Sequence, residues 1–226
     1  MWKFFQNEGI KAARFDISRQ QFMVRQCRAG QSVLNIGVGD GTSEQLALAR
    51  GIDVYSLDPD AKAIARLREA LSLGEKAQVG YAQNMPFESE QFDVVIMAEV
   101  IEHLEDETLH KSLEEVLRVL KPKWGLILST PYRENLEAAK VFCPYCEKKF
   151  HPYGHVQSFD KARLLDLLQS LGYHPVRVKL TTFVRWYPLS PTRIIRSAVR
   201  LLLARFGDPI ADPRLVAWAY KPVGGA

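Results

Sequence analysis

From about residue 30 onward, short, mainly apolar runs alternate with stretches whose apolar residues recur every three or four positions. The runs Ser32–Ile36 (SVLNI), Ile52–Leu57 (IDVYSL), Lys76–Gly80, Phe92–Met97 (FDVVIM) and Trp124–Ser129 (WGLILS) read as buried strands. Ser43–Arg50, Ala61–Leu71 (ended near Gly74) and Thr108–Leu120 read as amphipathic helices between them. Strands separated by helices at this spacing imply βαβ units, hence a mostly parallel sheet covered by helices on both faces.

The pattern continues to the end of the chain. A helix is predicted from a Ser158 cap to about Ser170, with Gly172 just past its stop. Val176–Val184 and Arg214–Tyr220 read as two more strands. Between them SPTRIIRSAVRLLLARFGDP reads as a helix with Pro191 near its start and Gly207 at its end. Residues 10–29 read as a helix packed before the sheet. With no internal repeat and no low-complexity tract, residues 1–226 are expected to be one domain. It carries a Cys/His insertion at about 132–157 and a basic helical insertion at about 188–212.

Composition narrows the class. The 226 residues are 47% apolar, enough for one substantial core, and 25% charged, the ordinary globular level. No run approaches the ~20 apolar residues that cross a bilayer, and MWKFFQNEGIKAARFD lacks a signal-peptide pattern. The expectation is a cytoplasmic protein with reduced cysteines. A net charge of +4 does not by itself call for nucleic acid, but from Pro175 onward nine Lys/Arg face two Asp, so basic surface gathers at the C-terminal end.

The first predicted strand runs into Gly37-Val38-Gly39-Asp40-Gly41 and then a helix. Glycines there let the backbone turn and let a ligand approach closely. Thr42 stands where a dinucleotide loop wants Gly or Ala, so another nucleoside ligand fits better. Asp58, at the end of the second strand, can accept hydrogen bonds from both hydroxyls of a ribose. The bland alternative is a turn residue before Pro59.

VLNIGVGDG (33–41), YSLDPD (55–60), MPFESEQFDVVIMAEVIEHLEDE (85–107), LRVLKPKWGLILSTP (117–131) and GHVQSFDKARLLDLLQSLGY (154–173) stand in an order and spacing similar to those of class I S-adenosylmethionine-dependent methyltransferases. The resemblance implies a Rossmann-like sheet with seven strands, the last antiparallel, and the cofactor at the carboxyl ends of strands one and two. It implies that Gly37, Gly39 and Gly41 line the methionine part and sugar and that Asp58 holds the ribose. Tyr81 and Ala82 would border the adenine, with Ala98 and Glu99 near the methionine end. Asn35 and Tyr81 stand where the family commonly has acidic residues.

His103 and Glu99, in Glu99-Val-Ile-Glu102-His103, are the candidates for catalysis, His103 as the base for an oxygen nucleophile; it can equally be a packing residue. The expected acceptor is a small molecule methylated at oxygen: a sugar, a natural product or a quinone precursor. Glu99, Glu102, His103 and His155 also resemble the metal-binding set of RNA 3′-end 2′-O-methyltransferases, which keeps a nucleic-acid substrate as an alternative. A catalytically silent cofactor-binding scaffold is another. Cys143, Cys146, His151 and His155, spaced Cys-x2-Cys-x4-His-x3-His, have the residue types of a compact structural zinc site; a metal-free loop and a redox pair are the competing readings. The arginine-rich helix at 191–206 suits a lid, a peripheral membrane contact, or a helix simply packed on the domain.

Overall fold

The structure, a computed structural model, describes residues 17–184 and 190–223. The part of the expected first helix before Ile17 and positions 188–189 of the basic insertion lie outside the described residues. In chain order the elements are α1 (Ile17–Arg25), β1 (Ser32–Ile36), α2 (Thr42–Leu48), β2 (Asp53–Asp58), α3 (Ala61–Leu71), β3 (Ala77–Val79), β4 (Phe92–Ala98), α4 (Asp106–Val119) and β5 (Leu120–Pro131). There follow β6 (Val141–Phe142), β7 (Lys149–Phe150), α5 (Lys161–Ser170), β8 (Val176–Thr181), α6 (Pro191–Arg205) and β9 (Arg214–Tyr220).

Seven strands form one sheet in the order β3-β2-β1-β4-β5-β9-β8. β1 to β5 pair in parallel, whereas the last strand, β9, runs antiparallel to both β5 and β8. The central strands are buried on both faces, which is why they read as mainly apolar runs. Alternate residues serve opposite layers. Leu34, Ile36, Val95 and Met97 pack with Leu113 and Val116 of α4 and Leu164 and Leu168 of α5. Val33, Val94 and Ile96 pack with Met23 and Val24 of α1 and Ile64 and Leu67 of α3. Tyr173 is fully buried, and its hydroxyl donates to the Leu113 carbonyl at 2.8 Å.

Two local expectations need correction. The cap of α5 is Asp160, not Ser158: the Asp160 carboxylate accepts from the Arg163 N–H at 2.9 Å, a stronger acceptor placed nearer the first turn. The Cys/His insertion contains an antiparallel hairpin, β6–β7, that the apolar pattern does not signal because its strands are only two residues long. The basic helix forms as expected, over Pro191–Arg205.

Candidate active site

The carboxyl ends of β1, β2 and β4 meet beneath a cavity of about 380 Å³, whose walls include Gly37, Gly39, Asp58, Tyr81, Ala82, Ala98, Glu99 and His103. Crossovers leave the sheet on the same side here, so the loops after three neighbouring strands converge. Gly37 has φ 85°, and a Cβ there would lie 3.0 Å from Val100 Cγ2. Gly41 belongs to a different surface. It starts α2 with φ 84°, and a Cβ would lie 2.9 Å from Leu67 Cδ1, so its lack of a side chain lets α2 and α3 approach.

Asp58 is 1% exposed. Its Oδ2 accepts from the Val38 N–H at 3.0 Å and its Oδ1 from the Asp60 N–H at 2.8 Å. The carboxylate thus braces the glycine loop at the wall of the cavity. Tyr81 is 61% exposed, at the rim of the cavity.

Several lining residues carry no local sequence signal. α1 contributes Arg19 and Gln20. Among the described residues, Arg19 Nε and Gln20 Oε1 are buried with no hydrogen-bond partner, although both side chains make contacts elsewhere: Arg19 Nη1 lies 3.7 Å from Glu99 Oε2, and Gln20 Nε2 donates to Asp40 at 3.2 Å. Both residues line the cavity, so α1 gives one of its walls a polar character. Behind the cavity, Asn35 Nδ2 donates to Glu44 Oε1 at 2.7 Å and Ser56 Oγ donates to the same oxygen at 2.9 Å. The acidic group that Asn35 lacks therefore comes from α2. Burial pushes Glu44 up to about 7 against the pull of the Asn35 and Ser56 hydrogen bonds.

Glu99 ends β4 in the left-handed region, φ 56°, a strained placement for a residue with a side chain. Ser129 Oγ donates to its Oε1 at 2.8 Å and Arg214 Nε to its Oε2 at 2.9 Å. Its carboxylate anchors the end of the strand. Next to it, His103 lines the cavity. Burial first, and then the neighbouring His155, lower His103 to about 4, so its imidazole is neutral at pH 7. Its Nδ1 lies 3.4 Å from the Gly154 carbonyl, a contact that favours the proton on Nδ1 and the lone pair on Nε2.

Two clusters bring ligand-type atoms within 4.8 Å of one another: Glu102 with His103 and His155, and Glu134 with His151 and His155. Among the described residues neither contains a cysteine. The structure therefore does not bring Cys143, Cys146, His151 and His155 together as one zinc set. On the hairpin Cys143 is partly exposed and Cys146 exposed, while the histidines fold back onto Glu134. His151 Nδ1 accepts from the backbone N–H groups of Tyr153 and His155 at 3.3 and 3.1 Å. Its proton consequently sits on Nε2 and is donated to Glu134 at 3.2 Å. His155 Nδ1 also pairs with Glu134. Burial works to raise Glu134, but His155 and His151 outweigh it and hold the carboxyl below its ordinary range. Glu102 is fully buried; desolvation, with Glu99 adding, raises it well above the usual carboxylate range. Of the four residues that resemble the metal set of the RNA enzymes, Glu102, His103 and His155 are brought together, while Glu99 is engaged by Arg214 and Ser129.

The comparisons with known proteins follow the same lines. A protein-family model described as a methyltransferase domain matches residues 34–128. A probable S-adenosylmethionine-dependent methyltransferase of Mycolicibacterium smegmatis is 29% identical over 153 residues, covering 68% of this chain and 55% of the relative. Norajmaline N-methyltransferase of Rauvolfia serpentina is 31% identical over 125 residues, covering 53% of this chain and 42% of the relative. The chain thus spans about half the length of these curated relatives. Among solved structures, a chain from the complex between the Haloferax volcanii Trm112 methyltransferase activator and a putative methyltransferase superposes with TM-score 0.66. The identity is 18%, over 92% of this chain and 91% of that one. Haemonchus contortus phosphoethanolamine N-methyltransferase 2, in complex with S-adenosyl-L-methionine, gives 0.62 at 19% identity, over 91% of this chain and 52% of that one. The matched segment holds the glycine loop, Asp58 and the Glu99–His103 turn, and the sheet around it has the Rossmann-like order; residues 34–128 are a methyltransferase domain similar to those of S-adenosylmethionine-dependent methyltransferases.

Proposed function

We propose that the chain transfers the methyl group of S-adenosylmethionine to an oxygen of a small-molecule acceptor bound at the His103 end of the cavity. The residues present fit the cofactor. Asp58 would accept from the ribose hydroxyls, Gly37 and Gly39 would face the ligand, and Arg19 and Gln20, which also line the cavity, would meet the charged methionine tail. When bound, the cofactor supplies an electrophilic methyl on a sulfonium. The chain's own task is then positioning, for which in-line alignment is worth several powers of ten, and proton removal from the acceptor.

The observation that carries the reading is His103 on the cavity wall beyond Ala98 and Glu99, neutral and oriented by Gly154. A neutral imidazole there accepts the hydroxyl proton as the oxygen attacks. Two of the similar proteins are named as N-methyltransferases, so nitrogen is the rival acceptor atom.

Incubation with methyl-labelled cofactor and a panel of sugars, phenols and quinols, with the product bond identified by mass spectrometry, decides between them. The reading expects an O-methyl product and a His103→Asn enzyme slowed about 10²–10⁴-fold in kcat with cofactor affinity unchanged. An N-methyl product, or full activity in His103→Asn, contradicts it.

A further inference from the structure

α6 is mounted with its large apolar face outward. The residues it buries are small: Ser197 is 5% exposed and Ala204 0%. On the opposite side Ile195, Val199, Leu202 and Phe206 follow one another at helical spacing and are 63%, 48%, 56% and 83% exposed. Ile210, just beyond the helix, is also 82% exposed. A helix that merely covers a domain does the reverse, and a contiguous apolar strip of this kind marks a contact surface.

The charges say what kind of surface it meets. At about 100° per residue, Arg196 and Arg205 fall on the two flanks of the strip, and both are exposed. The helix contains no acidic residue. The two acids that follow are engaged within the chain: Asp208 accepts from the Ile210 N–H at 2.9 Å, and Asp212 pairs with Arg214. In sequence, Trp186 and Tyr187 stand just before the helix, residue types that favour the membrane–water boundary. Among the described residues no helix is long and apolar enough to cross a membrane. An apolar crest with an exposed arginine on each flank, on a helix too short and too charged to span, suits an anionic lipid surface. The crest enters the acyl boundary, and the guanidinium groups reach lipid phosphates from both sides.

We propose that α6 docks this protein onto anionic membrane surfaces, lying in the plane of the interface with Ile195, Val199, Leu202 and Phe206 inserted. The Cα of Gly207, past the end of the helix, lies close against Tyr132, where β5 ends; a Cβ at Gly207 would sit 2.7 Å from that ring. The docked face is thus tied to the carboxyl edge of the sheet. This proposal is independent of the acceptor assigned above, because its readout is binding and not turnover.

Co-sedimentation of the chain with large vesicles tests it, using phosphatidylcholine alone and phosphatidylcholine with about one quarter phosphatidylglycerol. The wild type is expected to partition onto the anionic vesicles and to be released by high salt. Ile195→Ser/Leu202→Ser/Phe206→Ser should lower the partition coefficient at least about tenfold. Arg196→Ser/Arg205→Ser should remove the preference for anionic over neutral lipid. Cofactor affinity measured on the same variants checks that the fold is intact, since none of these residues lines the cavity. No binding by the wild type, or binding indifferent to the triple substitution, overturns the proposal. So does a dimer by light scattering that the triple substitution disperses while vesicle binding stays absent, because the strip would then be covered by a second copy.

Discussion

Replacing Glu44 with Gln should make the protein more stable at neutral and alkaline pH. Glu44 is fully buried, its Oε1 accepts from Asn35 and Ser56, and its Oε2 has no partner among the described residues. Desolvation raises it from 4.5 to about 7. Between those two values the native state keeps a proton that the unfolded chain has released. The unfolded state binds fewer protons there, so stability falls as pH rises from about 4.5 to about 7 and is level above that. At about 1.4 kcal/mol per pH unit, the gap corresponds to roughly 3 kcal/mol of stability withheld at pH 8. Glutamine presents the same Oε1 acceptor and imitates the protonated acid, so Glu44→Gln should match the wild type near pH 5. It should exceed it by about 2–3 kcal/mol at pH 8. Urea denaturation of both proteins at a series of pH values gives the difference directly, and every other titrating group is common to the two and cancels. Parallel stability curves from pH 5 to pH 8 would refute the argument and place the Glu44 carboxylate in an environment that tolerates its charge.

Arg19→Met should weaken cofactor binding about 10–100-fold, because it removes the guanidinium from the cavity wall while keeping the length of the side chain; unchanged affinity would detach α1 from the methionine end. In the folded protein Cys143 should be the thiol that alkylates readily at pH 7.5. Backbone N–H groups of Cys146 and Tyr145 lower it, whereas burial pushes Cys27 up to about 12, and a mass-mapped iodoacetamide time course reads the order. Tyr173→Phe should cost about 1 kcal/mol in urea denaturation, the worth of its buried hydrogen bond to Leu113; a loss under 0.3 kcal/mol would mean that the phenol adds nothing beyond packing.

Much of the fold is legible from periodicity because the central strands are sandwiched between helices and the helices are half-buried. β1, α3 and β9 have the bounds read from the sequence. The glycine loop, Asp58, Ala98 and His103 are legible for a related reason: each lies where a strand ends. Less visible are pairs joined only by the tertiary fold. Arg214 reaches Glu99 across 115 positions in sequence, and Glu134 meets His155 across 21. Neither pair has a local pattern. The Cys/His spacing is compatible with zinc, but spacing does not say which way a two-residue hairpin points its thiols. Here an acidic neighbour, Glu134, takes the histidines instead. Asn35 looks like a lost carboxylate in sequence, while Glu44, nine residues on, brings one to the same place.

The most direct test of the site is calorimetric titration of S-adenosylmethionine into the purified chain and into Asp58→Ala. The account predicts one cofactor per chain. It also predicts a loss of about 2–3 kcal/mol in Asp58→Ala, since hydrogen bonds to a charged group are worth about 1.5–3 kcal/mol each. A folded wild type that binds no cofactor, or an Asp58→Ala variant that binds it equally well, would contradict the assignment of the cavity.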